Sequence, residues 1–272
     1  MKVLVTGAAG RLGAEIVRCL QGTPAECLGV DREDFDVRDG DAVHRAVAAF
    51  TPDVIVHCAA YTDTQRAETE PEKCAEVNGL GTLNIVRAAL KNRAKLVYIS
   101  DAAVFSGEGA EPWEAEDRPN ARTVYGMSKG QGEEVIRSLM SRYFIIRTSW
   151  LYGGAEDDFV QQLARRTAEK GELTVAAGET AAPTWVVPLA QLVCGMLTTE
   201  RYGVYHAACQ GWCTRADVAR MTAEMVRGRA VIKADRSHPV NSRLSCVSLE
   251  RAGFAPLPHW EDALTRYLAE NL

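Results

Sequence analysis

Short β-branched runs alternate with longer amphipathic stretches through the first half of the chain. The runs Lys2–Thr6, Cys27–Val30, Val54–Cys58, Leu96–Ser100 and Phe144–Thr148 are nearly continuous in apolar residues. Between them, Leu12–Leu20, Asp41–Phe50, Pro71–Lys91 and Ser128–Ser141 carry helical spacing. Strands without a polar face, separated by helices, predict a parallel sheet covered on both sides, a doubly wound α/β fold. Beyond Trp150 the pattern loosens. Helices are expected at Asp157–Lys170, Pro188–Leu197, Thr214–Val226 and His259–Asn271, and strands at Leu173–Ala176, Val204–Ala207 and Ala230–Ala234. We therefore expect a sheet domain over residues 1–150 and a smaller lobe over 151–272. Some elements of the lobe, the helix at Pro188–Leu197 among them, are expected to return to the first domain. A chain of 272 residues is long enough for both.

The first predicted strand runs into Gly7-Ala8-Ala9-Gly10-Arg11-Leu12-Gly13, which opens the first predicted helix. Glycines at this spacing, between a strand and a helix, have separate tasks. Gly7 permits the tight turn, Gly10 lets backbone approach a pyrophosphate, and Gly13 allows close helix–strand packing. The anion would sit at the positive helix N-terminus near Arg11 and Leu12. This is the fingerprint of a Rossmann-type dinucleotide-binding domain. Asp31 ends the second strand, 18 positions after Gly13, where a carboxylate can bind ribose hydroxyls and favour NAD(H). Arg32 follows at once and is a candidate to meet the 2′-phosphate of NADP(H), or a solvated surface charge, so the balance leans to NAD(H). Asp36 and Val37 lie where an adenine-contacting turn is expected, or a helix-capping turn.

Composition narrows the partners. Hydrophobic residues make up 47% and charged residues 25%, with a formal charge of −5. That balance gives no electrostatic reason to expect nucleic acid or an anionic membrane as partner. No run approaches the roughly 20 apolar residues of a membrane span. The opening Met1–Thr6 is too short an apolar run for a signal peptide. The 8 cysteines are scattered through apolar stretches, and only Cys209 and Cys213 lie close together. Buried, reduced thiols and a cytoplasmic location follow as expectations, with no metal site.

The glycine turn and the later Tyr125-Gly126-Met127-Ser128-Lys129 resemble the extended short-chain dehydrogenase/reductase family. Further segments are similar to its dTDP-4-dehydrorhamnose reductases. These are Cys58-Ala59-Ala60-Tyr61-Thr62 with Arg66-Ala67-Glu68, Arg147-Thr148-Ser149-Trp150-Leu151-Tyr152-Gly153, Pro183-Thr184, Pro239-Val240-Asn241-Ser242-Arg243-Leu244 and Pro258-His259-Trp260. The resemblance covers essentially the whole chain. It implies a nucleotide-sugar ketone as substrate, a nicotinamide cofactor contacted also by Cys58, Ala59, Ala60, Tyr61 and Ser100, and a homodimer as a common assembly.

Tyr125 and Lys129 are four apart, on one face of a helix, so the lysine charge can lower the phenol pKa and hold the nicotinamide ribose. Tyr125 is then the acid beside the carbonyl oxygen. The resemblance implies a third group, a Ser or Thr hydroxyl just beyond the fourth strand. Here that segment reads Ser100-Asp101-Ala102-Ala103-Val104-Phe105-Ser106-Gly107, which places Asp101 at the hydroxyl position. An ionised Asp101 donates no hydrogen bond, opposes charge build-up on the carbonyl oxygen and raises the Tyr125 pKa. Protonation of Asp101, recruitment of the Ser100 hydroxyl, or a cationic substrate group bound by Asp101 would each restore a role. The alternative is a non-catalytic, dinucleotide-binding regulatory or scaffold subunit, as in the regulatory subunit of methionine adenosyltransferase, which resembles these reductases.

Departures elsewhere concern the sugar or its nucleotide. Thr64-Gln65-Arg66-Ala67-Glu68 and Gly178-Glu179-Thr180-Ala181-Ala182-Pro183-Thr184 both differ from the family's usual text. Trp150 is a candidate to stack on a sugar face, or a core residue. Arg243 is a candidate to pair with a substrate phosphate, or a surface residue. Asn78 is expected to fix backbone near the active-site helix, and no histidine, His57 and His206 included, is assigned to catalysis or metal.

Overall fold

The computed structural model describes residues 1–154 and 157–271. Five strands open the fold: β1 (Lys2–Thr6), β2 (Glu26–Val30), β3 (Val54–His57), β4 (Lys95–Asp101) and β5 (Tyr143–Thr148). They follow the apolar runs of the sequence to within a residue at each end. The helices between them are α1 (Arg11–Gln21), α2 (Gly40–Phe50), α3 (Thr64–Ala67), α4 (Pro71–Ala75), α5 (Gly81–Lys91) and α6 (Val124–Leu139). The helical stretch expected as one piece over Pro71–Lys91 is broken by a π-helical turn at Glu76–Leu80. Such a turn re-aims side chains within a helix, and here it holds Asn78.

The strands pair in parallel in the order β2-β1-β3-β4-β5, with Gly203–His206 added beyond β5. The chain leaves β1 toward one edge and returns on its other side at β3. A crevice therefore opens at the carboxyl ends of the strands, where ligands bind in such sheets. Strand alternation sends Val3 and Val5 to one face and Leu4 to the other. The first face packs on Ile16 of α1 and on Leu189 and Val193 of the helix Val186–Met196. The second packs on Val43, Val47, Ile85 and Ile136. Residues well past Trp150 thus cover and extend the first sheet.

The remainder forms a smaller layer over the carboxyl ends. Cys213–Thr214, Glu179–Ala181 and Val240–Asn241 make a three-stranded sheet, and Gly171–Ala176 pairs with Ala230–Asp235. The helix expected from Asp157 runs Phe159–Ala168, because the Asp158 carboxylate caps it by accepting from Val160 and Gln161 N–H groups. No helix among the described residues is long and apolar enough to cross a membrane.

Candidate active site

A cavity of about 1000 Å³ lies along the carboxyl ends of the sheet. Its wall begins at the glycine turn. Gly7 has φ +67°, and a Cβ there would press on the Ala59 backbone at 2.6–2.8 Å. A Cβ on Gly13 would collide with the Gly7 carbonyl oxygen. Only glycine lets turn, helix and neighbouring strand close to this spacing. Helix α1 starts at Gly10 with no side-chain cap and no acid in its first turn. Its first N–H groups and its positive end are left for an anion. The fit to a dinucleotide is therefore in the backbone itself.

Asp31, Arg32, Asp36 and Val37 continue the wall. Asp31 accepts from the Ala9 N–H at 2.8 Å and from the Arg32 N–H at 2.7 Å, so it also braces the glycine turn. Arg32 is exposed and takes part in no ion pair among the described residues. Asp36 is bound by Arg38 through contacts of 2.7–3.1 Å, which hold its carboxyl below the usual range. Arg38 also donates to Glu76 at 3.1 Å. The carboxylate of Asp36 is thus committed, and Val37 offers apolar surface. Cys58, Ala59, Ala60 and Tyr61 line the opposite side. Burial pushes the Cys58 thiol up to about 12, so it is a neutral wall group.

Tyr125 and Lys129 lie on the first turns of α6, which begins four residues earlier than its apolar pattern indicates. Thr123 caps it by accepting from the Gly126 N–H at 3.1 Å. Gly126 lets the helix touch the Ala103 carbonyl, which a Cβ would strike. This contact brings Tyr125 beside Asp101. Both α6 side chains are buried, at 7% and 3% exposure, yet both border the cavity. Burial and the neighbouring Asp101 raise the Tyr125 hydroxyl well above its ordinary value. Burial lowers Lys129 to about 8, against the pull of Asp101 and Glu133. Its Nζ sits 4.1 Å from the centre of the Tyr98 ring.

Asp101 ends β4. One carboxylate oxygen accepts from the Ala103 N–H at 2.8 Å. Burial pushes the group up to about 6, although Ala103 and Lys129 favour its ionised form. Opposite it in register stands Thr148 of β5, whose buried hydroxyl has no partner among the described residues and which borders the same cavity.

Ser100 borders the cavity, but its hydroxyl donates to Glu133 at 2.6 Å. The same Glu133 receives Arg147 at 2.9 and 2.7 Å, with both side chains fully buried. Ser100 is therefore unable to supply the missing hydroxyl, because strand alternation turns it into this network. Arg243 is a second correction. It lies outside the cavity, donating to Asn241 at 2.9 Å and to the Ala110 carbonyl, with its guanidinium 5.6 Å from the Trp212 ring. Arg243 ties the 110–113 segment to the Val240–Asn241 strand.

Trp150 borders the cavity in a left-handed conformation, φ +43°. The Arg215 guanidinium stacks 4.2 Å from its ring. Asn78 accepts from the Tyr61 N–H at 2.8 Å and donates to the Tyr61 carbonyl and Ser128, tying the Tyr61 wall to α6. His57 and His206 are lowered to about 3, burial being the main cause. They stay neutral, bonded to Thr6 and Thr82 and to the Ser245 carbonyl respectively.

Sequence reasoning missed Arg38, the Glu133–Arg147 pair and Arg215. Arg147 left a signal, a charge inside the strand-like run Phe144–Thr148. Arg215 left another: Thr214 and Asp217 form a capping box, which puts residue 215 at a helix start.

The doubly wound sheet, the glycine turn and the Tyr125–Lys129 helix define a Rossmann-fold oxidoreductase of the short-chain dehydrogenase/reductase type. Comparison with known proteins agrees. The profile of the RmlD substrate binding domain family matches residues 1–272, and the chain belongs to that family. It is 35% identical over 277 residues to a dTDP-4-dehydrorhamnose reductase of Streptomyces griseus, covering 96% of this chain and 91% of that protein. It is 33% identical over 278 residues to the spore coat polysaccharide biosynthesis protein SpsK of Bacillus subtilis, covering 99% and 98%. The crystal structure of a dTDP-4-dehydrorhamnose reductase from Bacillus anthracis in complex with NADP superposes with a TM-score of 0.95 at 31% identity, over 100% of this chain and 99% of that one.

Proposed function

We propose that this chain is a NAD(P)H-dependent reductase of a nucleotide-linked 4-keto sugar, of the dTDP-4-dehydrorhamnose type. The observation that carries the reading is the meeting of Tyr125, Lys129 and Asp101 on a cavity that begins at an uncapped, glycine-bounded helix N-terminus. A binding-only subunit has no need of a buried lysine beside a buried phenol, and the curated relatives bear reductase names.

Reduced nicotinamide, when bound there, supplies the hydride for the carbonyl carbon. The chain's residues do the rest. The glycine turn and the N-terminus of α1 hold the dinucleotide phosphates. Arg32, exposed beside Asp31, meets a 2′-phosphate, while the remaining lone pairs of Asp31 accept ribose hydroxyls. NADPH and NADH are therefore both accepted. Tyr125 gives its proton to the carbonyl oxygen, producing the alcohol. The charge on Lys129 offsets the negative charge left on the phenol and favours its reprotonation from solvent. Asp101 acts in its protonated form, donating its O–H to the same carbonyl oxygen, as carboxylic acids held neutral in dry sites do.

The test uses purified protein, either cofactor and dTDP-4-dehydrorhamnose. Consumption of reduced cofactor that depends on the sugar, and that falls by about 10²–10⁴ in Tyr125→Phe with cofactor affinity retained, supports the reading. Cofactor binding without consumption by any dTDP-4-keto-6-deoxy sugar overturns it in favour of a regulatory subunit.

A further inference from the structure

Arg215 has no place in the chemistry above, yet its surroundings prepare it for a ligand. The short sheet behind the cavity sets its position. Thr214 pairs with Thr180 in antiparallel register, so the next residue, Arg215, stands level with Glu179. Trp150 lies 4.2 Å and Phe159 3.9 Å from the guanidinium carbon, ring centre to carbon. Both rings lie within cation–π distance of the guanidinium, which carries its N–H donors as a planar fork. None of those donors is taken by another side chain or carbonyl among the described residues. Nor does Arg215 form an ion pair there, and Glu179 is itself held by the Ser242 hydroxyl at 2.6 Å. Arg215 borders the same cavity as the glycine turn. Burial without a partner lowers its proton affinity, which an arriving anion reverses.

We propose that Arg215 holds the diphosphate of the nucleotide sugar and thereby positions its keto group against Tyr125. The proposal rests on the reductase reading, since it concerns the second ligand of the same cavity. The cofactor's own phosphates have the glycine turn, so a second anion holder on the same cavity answers a second phosphorylated ligand. A guanidinium fork of donors suits a diphosphate better than a neutral ring. A carboxylate on the sugar is the other source of the same charge.

The experiment measures binding of dTDP, inorganic pyrophosphate and thymidine by calorimetry to the cofactor-loaded protein. Wild type, Arg215→Met and Arg215→Lys are compared, with NADPH affinity and melting temperature alongside. The expected result is a loss of about tenfold or more in dTDP and pyrophosphate affinity in R215M. Thymidine and NADPH affinities stay unchanged, R215K recovers part of the loss, and the loss appears in KM more than in kcat. Equal dTDP affinity in R215M and wild type, with a lowered melting temperature, overturns the proposal and makes Arg215 a clamp on Trp150. Unchanged dTDP affinity with a raised KM for an acidic sugar nucleotide also overturns it, in favour of a sugar carboxylate. If wild type binds neither dTDP nor any dTDP-sugar, the reductase reading fails together with this one.

Discussion

Asp101 and Tyr125 act on each other in opposite senses: the carboxylate opposes ionisation of the phenol, while the phenol hydroxyl favours ionisation of the carboxylate. Asp101 stands at about 6, so its protonated, donating form is depleted as pH rises through that value. The reductase kcat/KM should fall across that limb toward alkaline pH. An asparagine amide donates a hydrogen bond at every pH, so Asp101→Asn should flatten the limb between about pH 5 and 7, and Asp101→Thr should retain or raise the neutral-pH rate. A limb that survives in D101N would place the titration elsewhere.

The same shift has a consequence for stability. The Asp101 pKa is higher in the folded chain than in an unfolded one, so ionisation opposes folding. The cost is absent below the unfolded value near 3.8, grows as pH rises through about 6, and is constant above. Asp101→Asn should therefore melt about 2–4 °C higher than wild type at pH 7.5 and at the same temperature near pH 4. Scanning calorimetry at the two pH values checks this, and an equal gain at both would remove ionisation as its cause.

Glu133 and Arg147 carry opposite charges with 1% and 0% side-chain exposure. Ser100, the Ala115 carbonyl and His206 satisfy part of their remaining capacity. Removing one partner leaves a buried, unpaired charge, at a cost of about 3–5 kcal/mol. Arg147→Met should lose stability on that order in urea unfolding. A loss below about 1 kcal/mol would show that water reaches the pair.

Arg32 is offered as the reader of the 2′-phosphate. Arg32→Ala should weaken NADPH about tenfold and leave NADH within about twofold, because only one cofactor carries the extra anion. Parallel fluorescence titrations decide it. Equal losses for both cofactors would mean that Arg32 shapes the turn after Asp31.

The sheet was legible because its strands are buried on both faces, which writes unbroken apolar runs such as Val54–Val56 into the sequence. The glycine turn was legible because the backbone contacts at Gly7 and Gly13 admit one residue type. Other features depend on tertiary partners that no local pattern encodes. The start of α6 was hidden by Gly126, a poor helix former kept for its contact with Ala103. Arg243 read as a phosphate ligand because its sequence context matched, while its side chain lies outside the cavity, bonded to the neighbouring Asn241 and, across the fold, to the Ala110 carbonyl. Arg215 went unread because its two aromatic neighbours lie 65 and 56 positions away in the chain. Asp101 was visible as a departure from the start. Its half-buried setting is what gives a carboxylate at that position a donating form near neutral pH.

The central claim is that hydride reaches the sugar carbonyl in this cavity. Turnover of dTDP-4-dehydrorhamnose with NADPH deuterated at both nicotinamide C4 positions, followed by NMR of the product, tests it most directly. One deuterium at sugar C4 in the wild-type product, and none in a parallel Tyr125→Phe reaction of equal length, is the predicted result. Tight NADPH binding with no deuterium transferred to that substrate or to related dTDP-4-keto-6-deoxy sugars would contradict it.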